Sequence, residues 1–232
     1  MEQIPLDVQL ADHAVFETWL AGANGVLLHA LRQAATVRAF AVCWLWGGPE
    51  FGKTHLLQAC VNEAYQHDFR TAYLAVGPGS ELKPAMIENM GDLDVICIDE
   101  IDSVAGCAEW EQAMFTLFES VRLRGTRLVM AAEKPPLHCA FSLPDLASRF
   151  ASGATFRIHP LSDDDKIRAM QLRARWRGLE LPDDVAAFLF ARVARGNRFL
   201  FEMLDWLDRK ALTEQKRLTI PFVRSFLLSS AG

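Results

Sequence analysis

The sequence has little with which to bridge itself or bind a metal. Its five cysteines (Cys43, Cys60, Cys97, Cys107 and Cys139) are odd in number and contain no CxxC pair. A disulfide framework and a zinc site are both disfavoured, and free thiols in a reducing compartment are expected. The six histidines show no metal-ligand spacing. Long apolar runs are missing too. The strongest, Phe40 to Trp46, is far shorter than the roughly 20 residues a membrane helix needs. The opening "MEQIPLDVQL" has neither the basic region nor the apolar stretch of a signal peptide. A cytoplasmic protein without membrane contact is expected. Positive charge is also in deficit: 24 Lys and Arg stand against 29 Asp and Glu, for a net charge of −5. That balance argues against a large surface tracking nucleic-acid phosphates, so no direct sequence-specific DNA binding is expected. Neither internal repeats nor low-complexity segments are found.

What is present is an ordinary globular composition, 51% hydrophobic and 23% charged over 232 residues. That length allows one large domain or a domain with a smaller partner. Short apolar runs alternate with helical patterns. "FAVCWLW" (40–46), "TAYLAV" (71–76), "LDVICID" (93–99), "TRLVMAA" (126–132) and "TFRIH" (155–159) read as strands. Nearly continuous apolarity suits parallel strands covered on both faces. "KTHLLQACVNEAYQ" and "EWEQAMFTLFESVRLRG" carry helical spacing, the second ending in glycine. Beyond residue 159 only helical patterns follow. The first is capped by Ser162, with acids in its first turn and arginines toward its end. The arginine-rich face of that helix reads as solvated, and Trp44, Trp46, Trp176 and Trp206 read as anchors of a core or domain interface. The expected architecture is α/β with a parallel sheet over 13–159, followed by a small all-helical domain over 160–232.

The chemistry concentrates in "GGPEFGKT". Gly47-x-x-x-x-Gly52-Lys53-Thr54 is a complete P-loop pattern, placed after an expected strand and at the start of an expected helix. Backbone N–H groups of such a loop point at phosphates, lysine supplies a point charge, and the threonine hydroxyl suits Mg²⁺. Gly48, Pro49 and His55 complete the local candidate contacts. Downstream, "DVICIDEID" ends its strand in Asp99 and Glu100. Acids at the C-terminal end of a parallel strand face the ligand crevice. Asp99 is placed to hold Mg²⁺ through water, and Glu100 to polarise an attacking water.

These residues resemble the bacterial replication initiator DnaA and its relatives among the AAA+ ATPases. "GKTHLLQA" is similar to the P-loop helix of that family. "FETWLAGAN" resembles its adenine-side segment, which implicates Phe16 and Asn24. "PDLASRF" looks like the arginine-finger motif, with Arg149 as the finger, and "GNRFLFEML" looks like the sensor-2 helix, with Arg198 as its arginine. The sequence offers neither the N-terminal oligomerisation domain nor the C-terminal helix-turn-helix of a full initiator. The segment 77–92 is short where the initiator carries a longer helical insertion. "LPDLASR", "PLSDDDK" and "LTIPFV" point to the DnaA-related regulators that switch the initiator off.

The resemblance implies a fold, a ligand and partners. The fold is an AAA+ P-loop core with a helical lid, the ligand ADP or ATP with Mg²⁺, and the lead partner DnaA itself. "QIPLDV" resembles a peptide that docks on the DNA polymerase sliding clamp, with Gln3, Leu6 and Val8 as contacts and residues 1–12 as the clamp-binding tail. Association with the nucleoid would then come through the clamp, and a homodimer is the assembly left open. Arg149 would act in trans on DnaA-bound ATP. A glutamate at position 50, where the family favours glycine, and Ala132-Glu133 in place of a polar sensor pair predict weak intrinsic hydrolysis. Two other readings stay open: an ATPase of the helicase-loader type, and a non-enzymatic clamp adaptor.

Overall fold

The computed structural model describes residues 14–88, 90–192, 200, 203, 204, 206, 207 and 218–229. The chain divides into two compact units, Met1–His159 and Pro160–Gly232.

The first unit is a three-layer α/β structure. Strands β1 (Ala41–Trp46), β2 (Thr71–Ala75), β3 (Val95–Asp99), β4 (Arg127–Ala132) and β5 (Ala154–Arg157) form one sheet in the order β2-β3-β4-β1-β5. Every pairing is parallel, with Cys43 opposite Val129 and Trp44 opposite Met130 across the central pair. The period-two alternation of a strand divides the core. Cys43, Leu45, Val95, Cys97, Val129 and Ala131 face one side and pack on α1 (Gly25–Thr36) and α2 (Lys53–Gln66). Trp44, Ile96, Ile98, Leu128 and Met130 face the other and pack on α4 (Ala108–Arg124) and α5 (Pro144–Ala151). An aromatic cluster anchors that second layer. Phe150 of α5 lies 5.6 Å from Trp44, 6.1 Å from Phe118 and 5.7 Å from Phe141, ring to ring. Among the described residues, the β2–β3 connection holds one turn of α3 (Pro84–Ile87) and a short 3-10 turn.

Strand ends differ from the sequence expectation by one or two residues. Phe40 precedes β1, edge-on to Phe118. His159 falls outside β5, because the Asn24 side chain takes its backbone in place of a neighbouring strand. Cys43, Cys60 and Cys97 are buried, Cys107 is exposed, and all five cysteines are free thiols.

In the second unit, α6 (Asp163–Trp176) starts where Ser162 Oγ accepts from Asp165 N at 3.1 Å, and three aspartates occupy its first turn. With α7 (Asp183–Arg192) and the helix Ile220–Ser229 it encloses a core that includes Met170, Val185, Leu189, Leu204 and Val223. Three side-chain expectations fail here. Arg173, read as part of a solvated face, is buried, and Trp176 and Trp206, both read as anchors, are exposed, Trp176 at the end of α6. Most of "RFLFEMLDWLDRKAL" lies outside the described residues. No helix among the described residues is long and apolar enough to cross a membrane.

Candidate functional site

The crevice at the C-terminal ends of the parallel strands is where an open α/β sheet binds ligands. Three elements of this chain converge on it. The first is the loop from β1 into α2. Gly47 N donates to Ala132 O at 3.3 Å, which ties the loop to the end of β4. Glu50 sits at φ 62°, in the left-handed region where a side chain costs about 1–2 kcal/mol relative to glycine. Gly52 sits at φ 84°, and a Cβ there would approach Trp19 Nε1 to 2.6 Å, so the last loop position is closed to any side chain on two counts. Lys53 curls back over the loop, its ammonium donating to Gly47 O at 2.7 Å and Gly48 O at 2.9 Å. Thr54 is exposed at the start of α2.

The second element is the end of β3. Asp99 is buried, with Oδ2 accepting from Tyr73 O–H at 2.9 Å and Oδ1 from Glu100 N at 3.0 Å. Burial, reinforced by the Asp99 charge, pushes the Tyr73 phenol well above its ordinary range, so it stays a donor. Glu100 adopts φ 56°. Its carboxylate lies over the end of β2, where a Cβ on Gly77 would collide with Oε2. Because β2 flanks β3 on the side away from β4 and β1, Glu100 leans away from the loop strand. The sequence reading overlooked Gly77. Its only signal was the turn "GPG", which marks a bend without saying what passes over it.

The third element is the segment ahead of α1. Phe16 is fully buried in the α1–α2 core, with the Arg32 guanidinium 5.0 Å above its ring. His55 is buried as well, its Nε2 donating to Val15 O at 2.9 Å. Both residues tie the segment 15–18 to the domain. Asn24 is buried and pairs with the backbone of His159 as a strand would: Nδ2 donates to His159 O at 3.0 Å, and Oδ1 accepts from His159 N at 2.7 Å. Nδ2 also donates to Ala21 O. Asn24→Ala therefore leaves the backbone N–H and carbonyl of His159 without the Asn24 amide, while Ala21 O keeps its bond from Asn24 N. It is expected to lower stability by about 2 kcal/mol, read as a shift of the urea midpoint with an unchanged slope.

Arg149 lies elsewhere, on α5, in the layer opposite α2. Its guanidinium forms an ion pair with Glu119 of α4 and stacks 4.5 Å from the Phe115 ring centre. Glu119 also accepts from Arg122 at 2.9 Å. The Arg122 hydrogen bond, together with both arginine charges, holds the Glu119 carboxyl below its usual range against the opposing effect of desolvation. Gln3, Leu6, Val8 and Arg198 lie outside the described residues. Among the described residues no group of three or more His, Cys, Asp or Glu forms a metal site, so any Mg²⁺ would depend on nucleotide oxygens for most of its ligands.

A five-stranded parallel sheet in this order, a P-loop after β1, acids after β3 and a helical unit after β5 define an AAA+ protein. Residues 10–157 match the model of the bacterial DnaA ATPase domain, and residues 163–227 match that of the Hda lid domain. The chain thus belongs to the bacterial DnaA ATPase-domain family, as an Hda- and DnaA-related AAA+ protein. Among solved structures, domain III of the Thermotoga maritima replication initiation protein DnaA superposes with a TM-score of 0.75 at 21% identity, covering 94% of this chain and 97% of that one. AMPPCP-bound DnaA from Aquifex aeolicus gives 0.70 at 20% identity, over 89% of this chain and 71% of that one. The Thermotoga maritima RuvB Holliday junction branch migration motor gives 0.57 at 22%, over 80% and 60%. This chain spans 64% of the length of a DNA replication initiation factor that it also resembles.

Proposed function

We propose that this protein is a nucleotide-holding negative regulator of replication initiation, which accelerates hydrolysis of the ATP bound to DnaA. The observation that carries the reading is the separation of Arg149 from the P-loop. The loop and α2 belong to one face of the sheet, and Arg149 to the layer on the other. An arginine so placed is offered to a neighbouring molecule rather than to this chain's own loop. In trans, its planar charge would meet the γ-phosphate of DnaA-bound ATP and neutralise charge that develops as the phosphoryl group transfers. DnaA would be left with ADP.

This chain's own loop fits ADP or ATP. The Lys53 ammonium spends its hydrogen bonds on two loop carbonyls, and an anionic ligand would compete for the same donors. Thr54 and Asp99 would hold Mg²⁺ together with nucleotide oxygens, each Asp99 oxygen keeping a lone pair beyond the bond it already accepts. The metal would neutralise phosphate charge. Glu100 leans over β2, and Glu50 adds an acid to the loop. Both favour holding a nucleotide over turning it over, so intrinsic hydrolysis is weak and the bound nucleotide sets the shape of the active protein. Phe16 and Asn24 support the base-side wall from within the domain, and Arg198 would contact phosphate from the lid. Docking on the sliding clamp through Gln3, Leu6 and Val8 would concentrate the protein at replicated DNA.

The test is single-turnover hydrolysis of ATP prebound to DnaA, with clamp loaded on DNA. Adding this protein is expected to accelerate hydrolysis by ~10³-fold or more. Hydrolysis at the same rate with and without it would overturn the reading.

A further inference from the structure

The opposite pole of the sheet carries a second concave site. A cavity of about 520 Å³ opens among the segments that feed the N-terminal ends of β1, β2, β3 and β4. This volume lies in the range of small-ligand pockets. Four arginines line it, Arg38, Arg70, Arg124 and Arg127, against two acids, Asp92 and Asp94. The acids are already engaged. Asp94 is 3.4 Å from Arg38 and 3.6 Å from Arg70, and it also accepts from Arg70 N at 2.9 Å. Asp92 is paired with Arg124. Two positive charges are left over in a protein whose net charge is −5.

Arg127 distinguishes this pocket from an ordinary basic surface. Its residue is only 2% exposed, yet no carboxylate lies within ion-pair distance among the described residues. The guanidinium is fixed by two carbonyls: Nε donates to Asp94 O at 3.0 Å and Nη1 to Val37 O at 2.5 Å. It stacks 4.4 Å from the Phe69 ring centre, and Arg38 approaches the same ring at 4.6 Å. Burying a cation this far without a paired anion is costly. The remaining Nη2 donors carry no hydrogen bond within the described protein, and they belong to a residue that lines the cavity. A rigid, desolvated guanidinium with unspent donors is a preorganised anion receptor.

We infer that this pocket binds a small phosphate monoester, a doubly negative group that matches the surplus charge, with the phosphate on Arg127 and its organic part toward Phe40. Phe40 lines the pocket and is 40% exposed, which provides an apolar face beside the charged floor. The concave shape and the overall negative charge favour a small ligand over a nucleic-acid backbone. The site lies at the other end of the strands from the P-loop and is independent of the regulatory reading.

The experiment is amide NMR of the whole protein saturated with ADP, titrated with inorganic phosphate and with phenyl phosphate. The amides of 38–40, 70, 91–94 and 124–127 are expected to shift saturably, with phenyl phosphate the tighter probe. Arg70→Gln and Arg124→Gln sit at the exposed rim, where folding is tolerant. Each is expected to weaken binding about tenfold by removing one charged donor. Arg127→Met is expected to abolish the shifts, and the rim variants decide the matter if it fails to fold. Chloride at matched ionic strength is expected to leave these amides in place. The inference is overturned if chloride reproduces the shifts, if the rim variants bind phosphate as tightly as the parent, or if only P-loop amides move. Binding of a single-stranded DNA oligonucleotide here without binding of phosphate would overturn it in favour of a nucleic-acid surface.

Discussion

Arg149→Ala is expected to abolish the acceleration of DnaA-bound ATP hydrolysis, a loss of ~10³-fold or more, while leaving ADP affinity at this chain's own loop unchanged. Arg149→Lys should recover little, because a point charge on a flexible stem does not replace a planar fork. The ion pair to Glu119 makes the prediction sharper. In the free protein Arg149 is held in cis, stacked on Phe115 and paired across to α4. Reaching a neighbour's phosphate requires that pair to open. Glu119→Gln removes the charge that holds the arginine back, and it should raise the acceleration by a few-fold at most, since a partly exposed pair contributes little. If Arg149 only clasps α5 to α4, both substitutions should loosen the same contact and change activity in the same direction. Opposite signs therefore separate a residue that works in trans from a structural clasp. Single-turnover rates for the two variants, beside urea unfolding of each, decide between them.

The elements were legible because their signals are local. β3 is apolar at every position up to Asp99 and is buried throughout, and α2 runs Lys53–Gln66, as the spacing after the P-loop dictates. Site geometry was less legible, because it depends on what meets across the fold. Asn24 carries no mark that its amide will pair with a backbone 135 residues away. Phe16 and His55 match a nucleotide-side motif in sequence, yet their side chains are spent on holding the segment 15–18. Arg127 reads as the polar start of a strand, and only the convergence of Val37, Asp94 and Phe69 on its guanidinium reveals a buried cation. Glu50 was legible in the opposite sense. It stands at a loop position where the family favours glycine, and the residue does adopt the left-handed conformation that suits glycine, at φ 62°.

The second large effect concerns Glu111, a residue that no sequence motif marks. Glu111 lies in the first turn of α4 and is buried. Its carboxylate collects three backbone donors from outside the helix: Gly106 N at 2.6 Å, Ser142 N at 2.9 Å and Leu143 N at 2.7 Å. The last two immediately precede α5, so Glu111 seats the entry to the helix that carries Arg149. Glu111→Ala strips all three donors of their acceptor inside the protein and is expected to cost about 4 kcal/mol. Glu111→Gln keeps the volume but turns one acceptor into a donor, and should cost about 2 kcal/mol. The pH dependence has a definite sign. Burial alone would raise the Glu111 carboxyl, but the N–H groups of Ser142, Gly106 and Leu143 outweigh it and hold the pKa below the ordinary range. A group whose folded pKa is depressed contributes fully above its unfolded value of about 4.3 and loses that contribution as pH falls through the folded value. The wild type should therefore exceed Glu111→Gln by its full margin near neutral pH, and the two should converge only in the acid range below about 4.3. Urea unfolding of both proteins across that range measures the margin. A gap that stays constant into the acid range would mean that the carboxylate charge contributes nothing, and that the three contacts hold α5 by shape alone.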